Sequence, residues 1–199
     1  MDAPVPPRRT SGGPVLQQEV TEAIASAFFE QLAEVGYGRL SIEAVAKRAG
    51  AGKAAVYRRW RSKAEMTIEL ISQVALAAID VPDTGTLHGD ISQYLQNGYA
   101  ALRHRLASKI IPDLLAEAAR NPELTEALQL TVRDPRRVKA RQILDRAVER
   151  GWLPQDIDME MCLDFLGGPL YWRVTVIQSP IESDYFDRLT DKIIAAFNA

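Results

Sequence analysis

The sequence predicts an all-α protein of about nine helices, and three observations support this fold class. After Pro14, apolar residues recur at intervals of three and four, as on one face of an α-helix. Capping residues and prolines stand where helices would start. No run of alternating apolar and polar residues bounded by turns indicates a strand. With 199 residues, 47% of them hydrophobic, the chain is long enough to bury its own core.

The first element is an N-terminal arm, followed by a long helix. Residues 1–13 are rich in proline and glycine, which predicts a flexible arm carrying Arg8 and Arg9. The arm has no apolar stretch of the kind found in a signal peptide. The first helix is predicted over about 15–35, with one apolar face, and Gly36 is expected to end it as a left-handed cap.

Three further helices follow at short intervals. Ser41 is expected to cap a short helix over about 42–49, which Gly50 ends. A third helix is predicted over about 52–59. The segment 62–65 reads Ser-Lys-Ala-Glu, a capping box that should open a long fourth helix.

The segment 81–85, which contains proline and glycine, marks a boundary between two domains. We therefore expect an N-terminal domain of three helices over 14–62, a connecting helix over 63–80, and a larger helical bundle over 81–199.

Helix starts in the larger bundle are indicated by local signals. Asn121-Pro122 and Asp134-Pro135 each place a capping residue before a proline, which favours the first helical position. Gly151 marks a break before a helix expected over about 157–178. The segment 179–182 combines a capping box with proline and should start a last helix that runs to about residue 197.

The charge distribution is uneven. The segment 39–63 contains eight basic residues and one acidic residue, a net charge of +7, so the rest of a chain of net charge −2 carries −9. A basic cluster on an acidic protein is expected of a protein that binds a polyanion, although a merely solvated face is the alternative. The basic residues are Arg39, Lys47, Arg48, Lys53, Arg58, Arg59, Arg61 and Lys63.

The spacing of Ala46, Gly50 and Val56 is typical of a helix-turn-helix motif. Ala46 is small where the two helices would cross, Gly50 suits the tight turn, and Val56 would return an apolar side chain to the core. The motif coincides with the basic cluster and with predicted helix boundaries on both sides. Together these features predict DNA binding.

The segment from about Glu19 to Met66 resembles the DNA-binding domain of TetR-family transcriptional regulators. The segments 147–151 and 165–173 are similar to the C-terminal half of one subgroup of that family. The residues that carry the main resemblance are Phe28-Phe29, Gly36-Tyr37, Ser41 to Gly50, Lys53 to Trp60, and Ser62 to Glu65.

The resemblance implies that the third helix lies in the major groove and that Trp60 packs this helix onto the first. The family often has hydroxyl side chains at the positions of Gly52 and Ala55, so base readout is expected to depend on Lys53 and Arg58. The residues expected to contact DNA are Ser41, Gly52, Lys53, Ala54, Ala55, Tyr57, Arg58, Arg59 and Lys63.

The resemblance also implies that the larger domain dimerises. The last two predicted helices carry wide apolar surfaces, and a homodimer would pair two recognition helices across a palindromic site. An intramolecular core is the alternative use of these surfaces. The residues expected at the dimer interface are Phe165, Gly167, Gly168, Leu170, Val174, Phe186, Leu189 and Ile193.

A ligand pocket for a small apolar or amphipathic molecule is the other role that the resemblance implies for this domain. Each candidate lining residue has plain core packing as its alternative, and His104 has a surface position as its alternative. The candidates are Tyr94, Tyr99, Leu102, His104, Leu106, Ile110, Leu114, Phe165 and Trp172.

Other function classes have little support in the sequence. Two histidines and the single Cys162, expected to be a small buried apolar residue, offer no metal-ligand cluster, and no glycine-rich phosphate loop follows a strand, so no cofactor is predicted. No apolar stretch is long enough for a membrane span, and we expect a cytoplasmic protein. The sequence therefore predicts a dimeric, ligand-responsive repressor. An activator or a regulator without a ligand is the alternative, and a helical enzyme or scaffold is a more distant one.

Overall fold

The computed structural model describes residues 14–77 and 80–198, so the predicted arm with Arg8 and Arg9 lies outside the described residues. The predicted all-α fold is confirmed, and no strand occurs in the described ranges. The α-helices are α1 (Pro14–Arg39), α2 (Ile42–Arg48), α3 (Lys53–Arg59), α4 (Lys63–Ala77), α5 (Leu87–Arg103), α6 (Ala107–Ala118), α7 (Pro122–Leu128), α8 (Asp134–Glu149), α9 (Met159–Tyr171) and α10 (Tyr185–Phe197).

Local capping signals place the first helices close to their predicted positions. The Ser41 hydroxyl accepts a hydrogen bond from the Ala44 N–H at 3.2 Å and caps α2. Gly50 has φ 64° and makes the turn that follows α2. At Gly36 the chain leaves helical geometry with φ 75° and ψ 166°, a conformation that only glycine adopts readily, before one more turn ends α1 at Arg39.

The α1–α4 helices enclose the first of two cores. Phe28 on α1, Val45 on α2, and Val56 and Trp60 at α3 are all fully buried in it. This core continues into α6 and α7 through Ile110, Leu114 and Leu124. The first three helices are therefore held against the C-terminal part of the chain by apolar packing.

The second core lies among α5, α8, α9 and α10. Cys162 is 4% exposed within it, as predicted for a small apolar residue, and burial raises the pKa of its thiol. None of the described helices has the length and apolar character that crossing a membrane would require. The fully or largely buried residues of this core include Ile91, Leu95, Leu144, Leu166, Leu170 and Ile193.

The helix predicted to start at Asp134-Pro135 begins there, as α8 with Pro135 in its first turn, but Asp134 does not act as its N-cap. A π-helical turn (Gln129–Arg133) joins α7 to α8, so the chain stays helical through Asp134, whose N–H donates to the Gln129 carbonyl five residues earlier. Pro135 cannot donate a backbone hydrogen bond, and its ring would crowd the preceding turn of a regular α-helix. The wider π turn accommodates it without a break.

The predicted start of the last helix is wrong. A π-helical turn (Trp172–Ile177) extends α9 until Gln178 ends it with φ 56°, and α10 begins only at Tyr185. The expected capping box over 179–182 does not form. Instead the Glu182 carboxylate accepts a hydrogen bond from Arg188 at 2.8 Å, inside α10.

Candidate nucleic-acid interface

One face of α3 is buried and the opposite face is open to solvent. Val56 and Trp60 point into the first core, and the Trp60 indole N–H donates to Glu69 on α4 at 2.9 Å. Trp60 thus anchors the end of α3 in the first core and to α4. Half a turn away on the helix, Ala54 and Arg58 are exposed. The open face therefore has Ala54 and Arg58 at its centre.

Lys53 and Tyr57 flank that face on the side of α2, where they meet Glu43. The Lys53 ammonium lies 2.8 Å from Glu43 Oε1, and the Tyr57 hydroxyl donates to the same oxygen at 2.9 Å. We call these three residues the Glu43 cluster. Hydrogen bonds from Lys53, from the backbone and from Tyr57 lower the pKa of Glu43 from its ordinary value of 4.5 to about 2. The same contacts raise the pKa of Lys53 and of Tyr57.

Arg59 and Lys63 are turned toward the protein. Arg59 donates to the Thr21 hydroxyl at 2.6 Å, lies 3.5 Å from Glu69, and stacks over the Trp60 ring. Lys63 is half-buried and donates to the carbonyls of Tyr37 and Gly38 at 2.8 and 3.3 Å. Such cation contacts with the last carbonyls of a helix stabilise its C-terminus. The structure does not bring these two residues to the open face of α3.

The structure separates the basic cluster into engaged and available charges. Arg48 and Lys53 pair with Glu34 and Glu43, and Arg59 pairs with Glu69. Within the basic cluster, whose eight residues all lie in the described ranges, three exposed cations have no ion pair or side-chain hydrogen bond: Lys47, Arg58 and Arg61. These three side chains are free to meet an anion, and of them only Arg58 lies on α3.

The remaining predicted DNA contacts are small. Gly52 is exposed as the N-cap of α3, and a Cβ added there would meet no atom within 4 Å. Ala55 is half-buried beside exposed Ala54. The Ser41 hydroxyl is already used as the cap of α2. The absence of bulk at Gly52 and Ala54 lets the backbone at the start of α3 approach another surface closely.

A contact with α6 fixes the end of α1. The Tyr37 N–H donates to Asp113 Oδ2 at 2.7 Å. A Cβ at Gly36 would lie 2.6 Å from the other carboxylate oxygen, so the close approach and the positive φ both require glycine. The helix-turn-helix is therefore joined to α6 by a defined polar contact as well as by apolar packing.

A cavity of about 540 Å³ lies beside this contact, between α5, α6 and the π turn after α9. Of the nine predicted lining residues, only Tyr99 and Leu102 line it. Ile110 and Leu114 belong to the first core, where Leu106 also packs, and Tyr94 packs on the second. His104, Phe165 and Trp172 are exposed. The cavity lining consists of Tyr99, Leu102, Arg103, Ala107, Ser108, Ile111, Pro112, Val174, Thr175, Gln178 and Ser179.

Apolar patterning in the sequence did not identify most of this lining, which is partly polar and partly set by how the helices pack. Arg103, Ser108 and Thr175 are polar, and Thr175 lies in the π turn, where the residues that face inward depart from α-helical spacing. Arg103 also stacks over the Tyr99 ring, with 5.8 Å from its guanidinium carbon to the ring centroid. One signal in the sequence was the spacing of Tyr99 and Arg103, which are four residues apart and therefore share a face of α5.

The outward face of α9 and its π turn carries a continuous apolar stripe. Met161, Phe165, Trp172 and Val176 are 53, 39, 58 and 50% exposed, and Gly168 stands between them at helical spacing. We call these five residues the α9 stripe. Of the other predicted interface residues, Gly167 is exposed and Val174, Phe186 and Leu189 are half-buried. Leu170 and Ile193 are 4% and 2% exposed, so they belong to the intramolecular core.

Comparison with protein families is consistent with this arrangement. Residues 24–70 match the family model described as bacterial regulatory proteins, tetR family. Residues 81–193 match the model described as Tetracyclin repressor-like, C-terminal domain. The two matches cover the helix-turn-helix with most of α4, and nearly all of the C-terminal bundle.

Individual relatives and solved structures agree. The chain is 38% identical to an uncharacterised HTH-type transcriptional regulator of Mycobacterium bovis over 82% of this chain and 80% of that protein. It is 30% identical to the DNA-binding transcriptional repressor TetR of Mycobacteroides abscessus over 86% and 90% of the two chains. The fold matches the flavonoid-responsive regulator FrrA with a TM-score of 0.71 and 20% identity, over 90% of this chain and 95% of the other.

Proposed function

We propose that this chain, which belongs to the TetR family of DNA-binding transcriptional regulators, acts as a homodimeric repressor at a palindromic operator. The open face of α3 would enter the major groove. The observation that carries this proposal is an exposed recognition helix with an unpaired arginine at its centre and a lysine and a tyrosine at its edge.

Each side chain on this face has a chemical role that fits DNA. Arg58 would donate two hydrogen bonds to the major-groove edge of a guanine, and the Ala54 methyl would meet a thymine methyl. Lys53 and Tyr57 would reach a base edge or a phosphate. Arg59 and Lys63, which the sequence had also suggested as DNA contacts, would instead hold α3 and α1 in place through their internal contacts.

The α9 stripe would form the centre of the dimer interface. Contiguous apolar side chains on an exposed helix favour burial against another surface, and Gly167 and Gly168 leave room for a second backbone. A two-fold axis there would present two copies of α3 to successive major grooves, about 34–36 Å apart.

The cavity beside α6 would take a small amphipathic ligand. Its volume lies within the usual range for ligand pockets, and its wall combines apolar side chains with Arg103 and several hydroxyls. Ile111 and Pro112 line the cavity and directly precede Asp113, which holds the end of α1. A ligand would thus shift the population of dimer geometries by moving α6. Such a regulator would act in the cytoplasm, where it meets DNA.

Selection of bound fragments from genomic DNA with the purified protein tests the proposal. We expect enrichment of a two-fold symmetric sequence with half-sites about 10–10.5 base pairs apart, or a multiple of that spacing. Failure to enrich any sequence, or enrichment of one without symmetry, would overturn it. Genes beside the enriched sites would indicate the class of ligand.

A further inference from the structure

We infer that Glu43 is a selectivity residue, which lowers affinity for non-cognate DNA by holding Lys53 and Tyr57 away from phosphates. This inference rests on the proposed function of the α3 face. The Glu43 carboxylate occupies the place that a DNA phosphate would take against Lys53 and Tyr57, since a single oxygen accepts from both at 2.8 and 2.9 Å.

The Glu43 cluster is not needed to build the fold. The side chains of Lys53 and Glu43 are 61% and 49% exposed, and Tyr57 is 38% exposed. Exposed ion pairs of this kind contribute little to stability. The helices α2 and α3 are already held together by the buried residues Val45, Ala46 and Val56. Glu43 is the only acidic residue of the segment 39–63. Its main effect is therefore on the binding of anionic groups to α3.

Non-cognate and cognate binding place different demands on these groups. Non-cognate binding is supplied by phosphate contacts, so Lys53 and Tyr57 would have to leave Glu43, whose negative charge would then face the DNA backbone. In the cognate complex, Lys53 keeps one N–H on Glu43 and turns another to a base edge, because an ammonium has three donors. Glu43 thus lowers the affinity for non-cognate DNA more than the affinity for cognate DNA.

The test compares Glu43→Gln with Glu34→Gln. Glu34 forms the matched ion pair with Arg48 at 2.6 Å on α1 and α2, outside α3, so both variants lose one negative charge. Binding is measured by fluorescence anisotropy on two probes, the duplex selected by the unaltered protein and sonicated mixed-sequence DNA. Thermal melting verifies that each variant is folded.

For Glu43→Gln we expect affinity for mixed-sequence DNA to rise about tenfold, with a salt slope steeper by about one per subunit, and cognate affinity to change less than about threefold. Adding Lys53→Met to Glu43→Gln should cancel the gain. The inference is overturned if Glu34→Gln gives the same gain, or if Glu43→Gln weakens both complexes equally, which would mean that Glu43 only orients Lys53. If the unaltered protein selects no duplex, the proposed function itself fails.

Discussion

At the scale of single residues, the chemistry of the α3 face depends on which cations remain free. Arg58 is exposed and unpaired within the described residues, whereas Lys53 shares the Glu43 carboxylate with Tyr57 and Arg59 is bound to α1 and α4. The sequence places all three cations on one short helix. The partners of Lys53 and Arg59, which lie 10 to 38 residues away in the chain, leave only Arg58 unengaged.

The pKa of Glu43 provides a test at this scale. Its value in the folded protein, about 2, is below the ordinary 4.5, so the small contribution of this exposed, ionised carboxylate to stability is present above pH 4.5 and is lost as the pH falls toward 2. A carbon-detected NMR titration should therefore find a midpoint near 2. Lys53→Met should move the midpoint toward 4.5 and leave Glu34 unchanged, because Arg48 is the partner of Glu34. A midpoint near 4.5 in the unaltered protein would contradict the described contacts.

At the scale of elements, a buried carboxylate ties the segment between α4 and α5 to α8. Asp90 on α5 is 1% exposed and accepts hydrogen bonds from the Thr84 backbone and hydroxyl at 2.5 and 2.8 Å. Its other oxygen lies 3.2 Å from the Arg146 guanidinium, which also donates to the Pro82 carbonyl. The connection between the two cores is thus held by one buried network.

Replacement of Asp90 by alanine should lower the free energy of unfolding by about 3 kcal/mol, because it leaves Arg146 and the Thr84 backbone without their buried partner. Urea denaturation followed by circular dichroism measures the change. The matched control is Asp164→Ala, which removes an acid–arginine pair at a side chain that is 70% exposed. The control should cost less than about 1 kcal/mol. Equal costs for the two variants would show that the Asp90 network is not a structural clamp.

The elements that the sequence predicted well are those whose signals act locally. Ser41 and Asn121 cap helices as expected, because a cap needs only a hydrogen bond three residues away. At Asp134-Pro135 a helix begins as expected but without the expected cap, because a π turn precedes it, and at 179–182 no helix starts, since Glu182 pairs with Arg188 instead. Local pattern alone does not determine where a helix starts when its neighbours offer other partners.

The sequence predicts the open face of α3 but not the cavity. The motif of Ala46, Gly50 and Val56 fixes the buried side of α3, and hence its open side. The cavity could not be predicted, because it depends on how α5, α6 and the π turn after α9 pack. Ile110 faces the first core while Ile111, its neighbour in the chain, lines the cavity.

At the scale of the whole molecule, α6 connects the parts that the proposed regulation requires. It contributes Ile110 and Leu114 to the first core, Ile111 and Pro112 to the cavity, and Asp113 to the end of α1. The α9 stripe lies on a different surface, on a helix that packs mainly on α5, α8 and α10. The cavity, the proposed DNA-binding face of α3 and the proposed dimer surface are thus separate sites linked by packed helices.

The proposed dimer surface predicts the effect of Trp172→Glu. A charge within the α9 stripe should give a monomer at micromolar concentration. Operator affinity should fall by at least about a hundredfold, because the second DNA-binding domain of the dimer is no longer linked to the first. Sedimentation equilibrium and anisotropy measure the two effects. Leu115→Glu is the matched control, because Leu115 on α6 is 50% exposed but lies off the stripe. A Trp172→Glu protein that stays dimeric would place the interface elsewhere.

The central claim is that the open face of α3 reads DNA, and one comparison tests it most directly. Lys53→Ala with Arg58→Ala removes two cations from that face, and Lys47→Ala with Arg61→Ala removes the same two residue types from positions outside α3. On the selected duplex we expect the first pair to lose at least about a hundredfold in affinity, at 1–3 kcal/mol per base contact, and the second less than about tenfold. Equal losses, or no loss from the first pair, would contradict the claim.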